Sequence, residues 1–200
     1  GPPEAFREML VSADRVLSEV LELIAVIKPK GVHANLETYL QSPNFTIRAQ
    51  AVTAAVHSTG DDKVKLLMQV LQDPDPRLRG HLLRMIGEAR DGTMRAALTI
   101  WIRDRGFLDR DINEKISALR TYATIGQEWV FPHLREMAET KSSMFNRQKV
   151  SELRRAAVLA ISRIDLPMAQ AYIKLGCTSG DPELKQFCLE GAQRARTEKS

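Results

Sequence analysis

The chain has little of what most metal-binding and catalytic proteins are built around. Its 200 residues include two cysteines, Cys177 and Cys188, too few for a disulfide framework or a structural zinc site. Its four histidines have no second strong ligand at metal-binding spacing. A Ser-His-Asp arrangement and a phosphate-binding glycine loop are also missing. We therefore expect a protein that is not an enzyme, that binds no cofactor or metal, and that works in a reducing compartment.

Long apolar segments are also lacking. In the N-terminal helical pattern the longest uncharged apolar run, Leu23–Ile27, is far shorter than the ~20 residues of a membrane span. The charged beginning, with Glu4 and Arg7, does not resemble a signal peptide, and Gly1-Pro2 resembles the remnant of a cleaved expression tag. We expect no transmembrane segment and a cytoplasmic protein, or the cytosolic part of a larger or membrane-attached one.

Residues 3–30 form the predicted N-terminal segment, and residues 4–27 within it carry the longest helical pattern of the chain. Apolar residues from Phe6 to Ile27 recur at steps of 3 and 4, which places them on one face of a helix. The sequence Lys28-Pro29-Lys30-Gly31 ends this helix. Because the apolar face is broad, the pattern favours a helix that caps the rest of the protein over a self-associating coiled coil.

Residues 31–200 repeat one pattern, a short amphipathic helix followed by a second helix with a small and aliphatic stripe. Equivalent apolar positions of the five second helices are Ile47, Leu78, Ile112, Leu153 and Leu184, at intervals of 31, 34, 41 and 31 residues. Helical hairpins with such periods stack into an α-solenoid with a continuous core. Convincing period-two alternation, which would indicate a sheet, is lacking. We therefore predict an all-α fold.

One hairpin has the fullest motif, Asp75-Pro76-Arg77-Leu78-Arg79 followed by Gly87. Partial copies are Ile47-Arg48, Leu153-Arg154 and Asp181-Pro182-Glu183-Leu184-Lys185. The pattern resembles the bacterial HEAT-like repeats over roughly residues 33–196. It departs from them where Asn113 replaces the basic residue and where the fourth hairpin lacks the Asp-Pro turn. The resemblance implies a right-handed α-solenoid of about five hairpins in one continuous domain with an N-terminal capping helix, a fold without a fixed function.

Basic residues follow four of the five aliphatic positions: Arg48, Arg79, Arg154 and Lys185. A row of cations could meet an acidic ligand or a phosphate backbone. A structural role is favoured, because Asp75 with Arg79 and Asp181 with Lys185 have the i, i+4 spacing of helical ion pairs. The resemblance implies that such pairs tie adjacent repeats together.

The interval of 41 residues marks an insertion at 139–151, between the helices of the fourth hairpin. Residues 135–163 carry 7 basic and 3 acidic side chains. Insertions in repeat arrays emerge as loops, often on the binding face. The candidate partner-binding residues are Lys141, Met144, Phe145, Arg147, Lys149, Arg154 and Arg155. This basic loop could bind an acidic protein surface or stack on a nucleic-acid base. It could equally be an irregular connection whose phenylalanine packs into the core.

The leading functional hypothesis is a non-enzymatic scaffold or adaptor that binds a protein partner on the second helices and the 139–151 loop. The alternative is a nucleic-acid-binding solenoid, similar in fold to the HEAT-like DNA glycosylases, although an aromatic content of 6% leaves few side chains for base stacking. A lyase or chaperone-like enzyme has no residue here to support it. Self-association through the N-terminal helix stays open, and Trp101 and Trp129 are expected to pack in the core or between repeats.

Overall fold

The computed structural model describes residues 4–27, 33–60 and 62–197, with side chains described for 13–26, 36–60 and 62–197. Within these ranges the chain forms α-helices and short 3-10 helices and no β-strand, so the all-α prediction is confirmed for this part. The expected tag remnant, Gly1-Pro2, and the expected helix terminator, Lys28 to Gly31, lie outside the described residues.

The described α-helices follow one another with short connections. In chain order they are α1 (Glu4–Ile27), α2 (His33–Leu40), α3 (Phe45–His57), α4 (Asp62–Leu71), α5 (Pro76–Ala89), α6 (Arg95–Arg103), α7 (Ile112–Gly126), α8 (Phe131–Ala138), α9 (Arg147–Ile161), α10 (Pro167–Gly176) and α11 (Pro182–Thr197). The 3-10 helices are Gly92–Met94, Arg105–Asp109 and Gln127–Val130. None of the described helices combines the length and apolarity needed to cross a membrane.

Several second helices begin at a polar side chain that caps the first turn. The Asn44 side chain accepts a hydrogen bond from the Thr46 N–H at the start of α3, and Asp111 accepts one from Glu114 at the start of α7. Asp181 accepts from the N–H groups of residues 183 and 184 in α11. Each cap satisfies backbone donors that have no partner within the helix.

The chain divides into two compact units, residues 1–89 and 90–200. In the first unit, α2 packs on α3 and α4 packs on α5, which makes two helical hairpins. The hairpins contact each other through α3 with α5 and through α2 with α4, and α1 packs on α3. Fully buried aliphatic side chains, among them Leu21, Leu67 and Leu82, form the core.

The second unit contains three hairpins, α6 with α7, α8 with α9, and α10 with α11. Its second helices are stacked, since α9 lies against both α7 and α11. Trp101 is buried and meets the Phe107 ring edge-on at a centroid distance of 5.3 Å. The expected packing of Trp129 is wrong: its side chain is 75% exposed, because the 3-10 helix Gln127–Val130 turns Val130 inward instead.

Candidate functional site

The predicted insertion is shorter than the sequence indicated. Since α8 ends at Ala138 and α9 begins at Arg147, the connection spans 139–146 rather than 139–151. Arg147 and Lys149 therefore lie in the first turn of α9, which is anchored in the core by Val150 at 2% exposure. The connection is closed as a turn by the Asn146 side chain, which accepts hydrogen bonds from the N–H and the hydroxyl of residue 143, at 2.8 and 2.9 Å.

This turn presents two adjacent apolar side chains to solvent, which we call the Met144–Phe145 tip. Met144 is 93% exposed and Phe145 is 99% exposed. The alternative in which the phenylalanine packs into the core is therefore wrong. Single exposed apolar residues are common on protein surfaces, but neighbouring ones are typical of interaction sites.

Beside the tip lies a concave surface of about 930 Å³ between α9 and α11, which we call the α9–α11 groove. The tip forms part of its wall, and the Phe187 ring, 7% exposed, lies in its lining. The charged side chains that line it are Arg147, Glu152, Arg155, Glu183 and Glu190. The groove thus offers an apolar contact surrounded by charges of both signs.

Three of the five candidate cations already have carboxylate partners. Lys149 Nζ donates to Asp109 Oδ1 at 2.6 Å, and Arg155 donates through two nitrogens to Glu190 at 2.9 and 2.7 Å. Arg154 contacts Asp181 and Glu183. Lys141 and Arg147 form no ion pair among the residues that the structure describes. The predicted basic surface is therefore reduced to these two side chains beside the tip.

Arg154 is a structural side chain. Only 12% of it is exposed. It donates to the Ala138 carbonyl at 3.0 Å and to Glu183 at 2.8 Å, and it also contacts the Asp181 carboxylate. Although burial opposes ionisation of Asp181, hydrogen bonds from the Leu184 N–H and from Arg154 hold the pKa of that carboxyl below its usual value. Arg154 therefore joins α8, α9 and the start of α11 and is not available to a ligand.

The first unit contains the same kind of link. Arg48 on α3 donates to the Asp75 carboxylate at 3.0 Å and to the Ser42 carbonyl at 2.9 Å. Both aspartates follow their arginines by 27 positions. Arg79, for which we expected the i, i+4 partner Asp75, donates to the Asp73 carbonyl at 2.5 Å. In both units an arginine of the preceding second helix reaches the capping aspartate, which the i, i+4 spacing did not anticipate. Asp75 also accepts hydrogen bonds from Arg77 of its own helix.

Asp75 accepts hydrogen bonds from an arginine of α3 and from an arginine of α5. A side-chain hydrogen bond from Arg77, with further attraction to Arg77 and Arg48, lowers its pKa to about 2 despite some burial. Arg77 and Arg48 also lie over the Phe45 ring, at 4.7 and 5.8 Å from its centroid. This cluster holds α3 and the beginning of α5 together, and its charges are satisfied internally.

Three residues of this region carried no sequence signal: Glu152 and Phe187 line the α9–α11 groove, and Lys115 contacts Glu152. Lys115 on α7 is fully buried, and its ammonium donates to Glu152 on α9 at 2.7 Å. The hydrogen bond from Lys115 lowers the pKa of Glu152. The two residues are 37 positions apart, too far for a helical spacing rule to relate them. Phe187 was likewise missed, because the apolar stripe predicted for this helix leaves out position 187 and consists of Leu184, Cys188, Leu189, Ala192 and Ala195.

Two histidines belong to hydrogen-bond networks that lie between helices. His81 on α5 contacts Thr53 at 2.9 Å and Arg84 at 3.1 Å, and burial followed by the Arg84 charge lowers its pKa. His133 contacts the Tyr122 hydroxyl at 2.8 Å, and burial raises the pKa of that tyrosine. Across the described ranges, no three His, Cys, Asp or Glu side chains are grouped so that they could hold a metal ion.

Neither a family model nor a curated protein matches this sequence.

Proposed function

We propose that this chain is a non-enzymatic, cytoplasmic protein-interaction module, a right-handed HEAT-like α-solenoid of about five hairpins capped by α1. It binds a protein partner through the Met144–Phe145 tip and the adjoining α9–α11 groove. The observation that carries the proposal is the tip, where two large apolar side chains are at least 93% exposed beside a concave surface.

Support for the repeat architecture comes from the packing within each unit. Hairpins follow one another, and their second helices are in contact, as α3 is with α5 and α9 is with α7 and α11. An arginine in the second helix reaches the capping aspartate 27 positions later in both units. Stacking of neighbouring helical hairpins is the packing on which an α-solenoid is built, and the recurring link supports a repeated unit.

Support for a protein partner comes from the chemistry of the tip. Methionine and aromatic side chains are enriched at protein interfaces, and a phenylalanine that becomes fully buried on binding contributes about 1.5–3 kcal/mol. The unpaired cations Lys141 and Arg147 flank this apolar anchor. We infer that the partner presents an apolar pocket or helix face bordered by carboxylates.

The nucleic-acid alternative receives less support from the same surface. Phosphate binding depends on cations that can each neutralise a phosphate, and three of the five candidate cations are paired with Asp or Glu side chains. A salt titration separates the alternatives, because phosphate-driven binding to labelled single-stranded or duplex DNA would be strong at 50 mM salt and collapse by 200 mM. We expect negligible binding at both concentrations.

The direct test is quantitative capture from a lysate of the native host with immobilised wild-type protein and the double variant Met144→Ser, Phe145→Ser. The two serines should weaken retention of the specific partner by at least roughly 100-fold, since about 3 kcal/mol or more of apolar burial is lost. Folding should be unaffected, because both side chains are almost fully exposed.

The matched control is Ile100→Ser, which removes another exposed apolar side chain, 67% accessible, from α6 of the same unit. The control should retain the partner as the wild type does. If the wild type, the double variant and the control all capture the same proteins in the same amounts, the proposed site is wrong. Salt-sensitive DNA binding that survives loss of the tip would favour the nucleic-acid alternative.

A further inference from the structure

Met144 is the most accessible of the methionines whose side chains the structure describes. It is 93% exposed, and the next most accessible, Met168 on α10, is 44% exposed. The other methionines with described side chains are buried or partly buried: Met68, Met85, Met94 and Met137. Because a peroxide attacks a thioether from solvent, a methionine is oxidised more readily when more of its side chain is exposed. Among these methionines, an oxidant therefore reaches the sulfur of the Met144–Phe145 tip most easily.

The fold of the connection does not depend on the Met144 side chain. All residues from 141 to 145 are exposed. The turn is closed by hydrogen bonds from residue 143 to the Asn146 side chain, and neither bond involves the methionine. Oxidation of a methionine in a core disrupts packing, whereas an oxygen added to this sulfur displaces no neighbour. The reaction at this position therefore alters the surface and leaves the helices unchanged.

We propose that Met144 is a site of reversible oxidation by a peroxide, which switches off the binding surface; this inference rests on the proposed function of the tip. The Met144 sulfur takes one oxygen atom from hydrogen peroxide, and the rest of the peroxide leaves as water. The thioether is oxidised by two electrons to a sulfoxide, and the peroxide is reduced. A methionine sulfoxide reductase reverses the step with two thiols, which become a disulfide while the oxygen leaves as water.

The sulfoxide weakens binding because it makes half of the tip polar. Its oxygen accepts hydrogen bonds from water, and this hydration is lost when the tip enters an apolar pocket. Loss of the apolar contribution of one large side chain corresponds to about 10- to 100-fold in affinity. Since the Phe145 ring is unchanged, the oxidised protein should bind better than the double variant Met144→Ser, Phe145→Ser.

The first test does not need a partner. The chain is treated with hydrogen peroxide, and the oxidation of each methionine is followed by mass spectrometry of its peptides. Met144 should be oxidised about twice as fast as Met168, as their exposed fractions indicate, and the far-UV circular dichroism spectrum should not change. Oxidation of Met144 that is no faster than that of Met168 would overturn the proposal.

The second test measures retention of the tip-dependent partner, which is the protein that the wild type captures and the double variant loses. Peroxide is removed with catalase before capture. Oxidised wild type should retain about 10-fold less partner, and a methionine sulfoxide reductase with a thiol should restore retention. Peroxide should not change retention by Met144→Leu, which lacks the sulfur. The matched control Met168→Leu should respond to peroxide as the wild type does.

The outcomes distinguish this inference from the proposed function. If the tip-dependent partner is retained equally well after Met144 has been oxidised, the inference is wrong and the proposed function stands. If Met144→Leu loses retention on peroxide treatment as the wild type does, another group such as the partly accessible Cys177 is responsible, and the inference is again wrong. If the double variant captures the same proteins as the wild type, the proposed function fails, and control of binding by Met144 fails with it.

Discussion

The buried pair of Lys115 and Glu152 predicts an unequal response to removal of its two members. Lys115 is 0% exposed at its side chain and Glu152 is 27% exposed. In Glu152→Gln the ammonium loses its counter-charge in a dry site, whereas in Lys115→Met the carboxylate that remains can be hydrated. Removal of Glu152 should therefore lower the free energy of unfolding more than removal of Lys115, although the same 2.7 Å contact is lost in both variants.

The structure sets the size of the difference. Breaking a buried pair so that a charge remains inside costs about 3–5 kcal/mol. The upper bound is the cost of deprotonating an ordinary lysine at pH 7, which is about 5 kcal/mol. We expect about 3–5 kcal/mol for Glu152→Gln, about 1–2 kcal/mol for Lys115→Met, and for the double variant less than for Glu152→Gln, since exchanging a buried pair for an uncharged one is nearly neutral.

Urea titration followed by tryptophan fluorescence measures these values for the relevant unit, because both tryptophans, Trp101 and Trp129, lie in residues 90–200. Trp101 is 2% exposed and will report its transfer to water. Equal penalties for the two single variants, or a double variant that is less stable than Glu152→Gln, would refute the reasoning.

Two further predictions concern single residues in each unit. Burial, and next the Arg84 charge, lower the pKa of His81 in the folded state. The unit of residues 1–89 should therefore lose stability as the pH falls from about 7 to 5, through the ordinary histidine pKa of about 6.5. The variant His81→Gln should reduce that loss in thermal melts followed by circular dichroism. Gly126→Ala would bring a Cβ to 2.0 Å from Val130 Cγ1 and should lower the free energy of unfolding by about 1–3 kcal/mol. Gly80→Ala in α5 is the control, because the space around the added Cβ is open, and it should be neutral or stabilising. Equal changes in melting temperature for the two variants would contradict the close packing at Val130.

Helical periodicity was sufficient to predict where helices occur. The apolar steps of 3 and 4 predicted residues 4–27, and α1 spans Glu4–Ile27. The second helix that was predicted around Leu184 is α11, which begins at Pro182. Such segments are predictable because their burial depends on local spacing, which the sequence contains. The start of α9 was placed too late, because the basic residues before Val150 read equally well as a loop and as a solvent-exposed first turn.

The parts of the site that sequence reasoning missed depend on contacts across distant positions. Arg154 belonged to a basic cluster in the sequence, yet in the fold it lies between Asp181 and Glu183, 27 and 29 positions away. No local pattern shows which carboxylate will neutralise which cation. Met144 and Phe145 were named from composition, but only the turn closed by Asn146 determines that both side chains face solvent.

The 27-residue spacing between each linking arginine and its aspartate has a consequence for how this protein can change. The connection 139–146 lies outside both intervals, from 48 to 75 and from 154 to 181. Residues can therefore be inserted, deleted or exchanged there without altering the register of either link. The segment that bears the exposed methionine and phenylalanine can therefore be replaced by segments of different binding specificity while both arginine–aspartate links are kept.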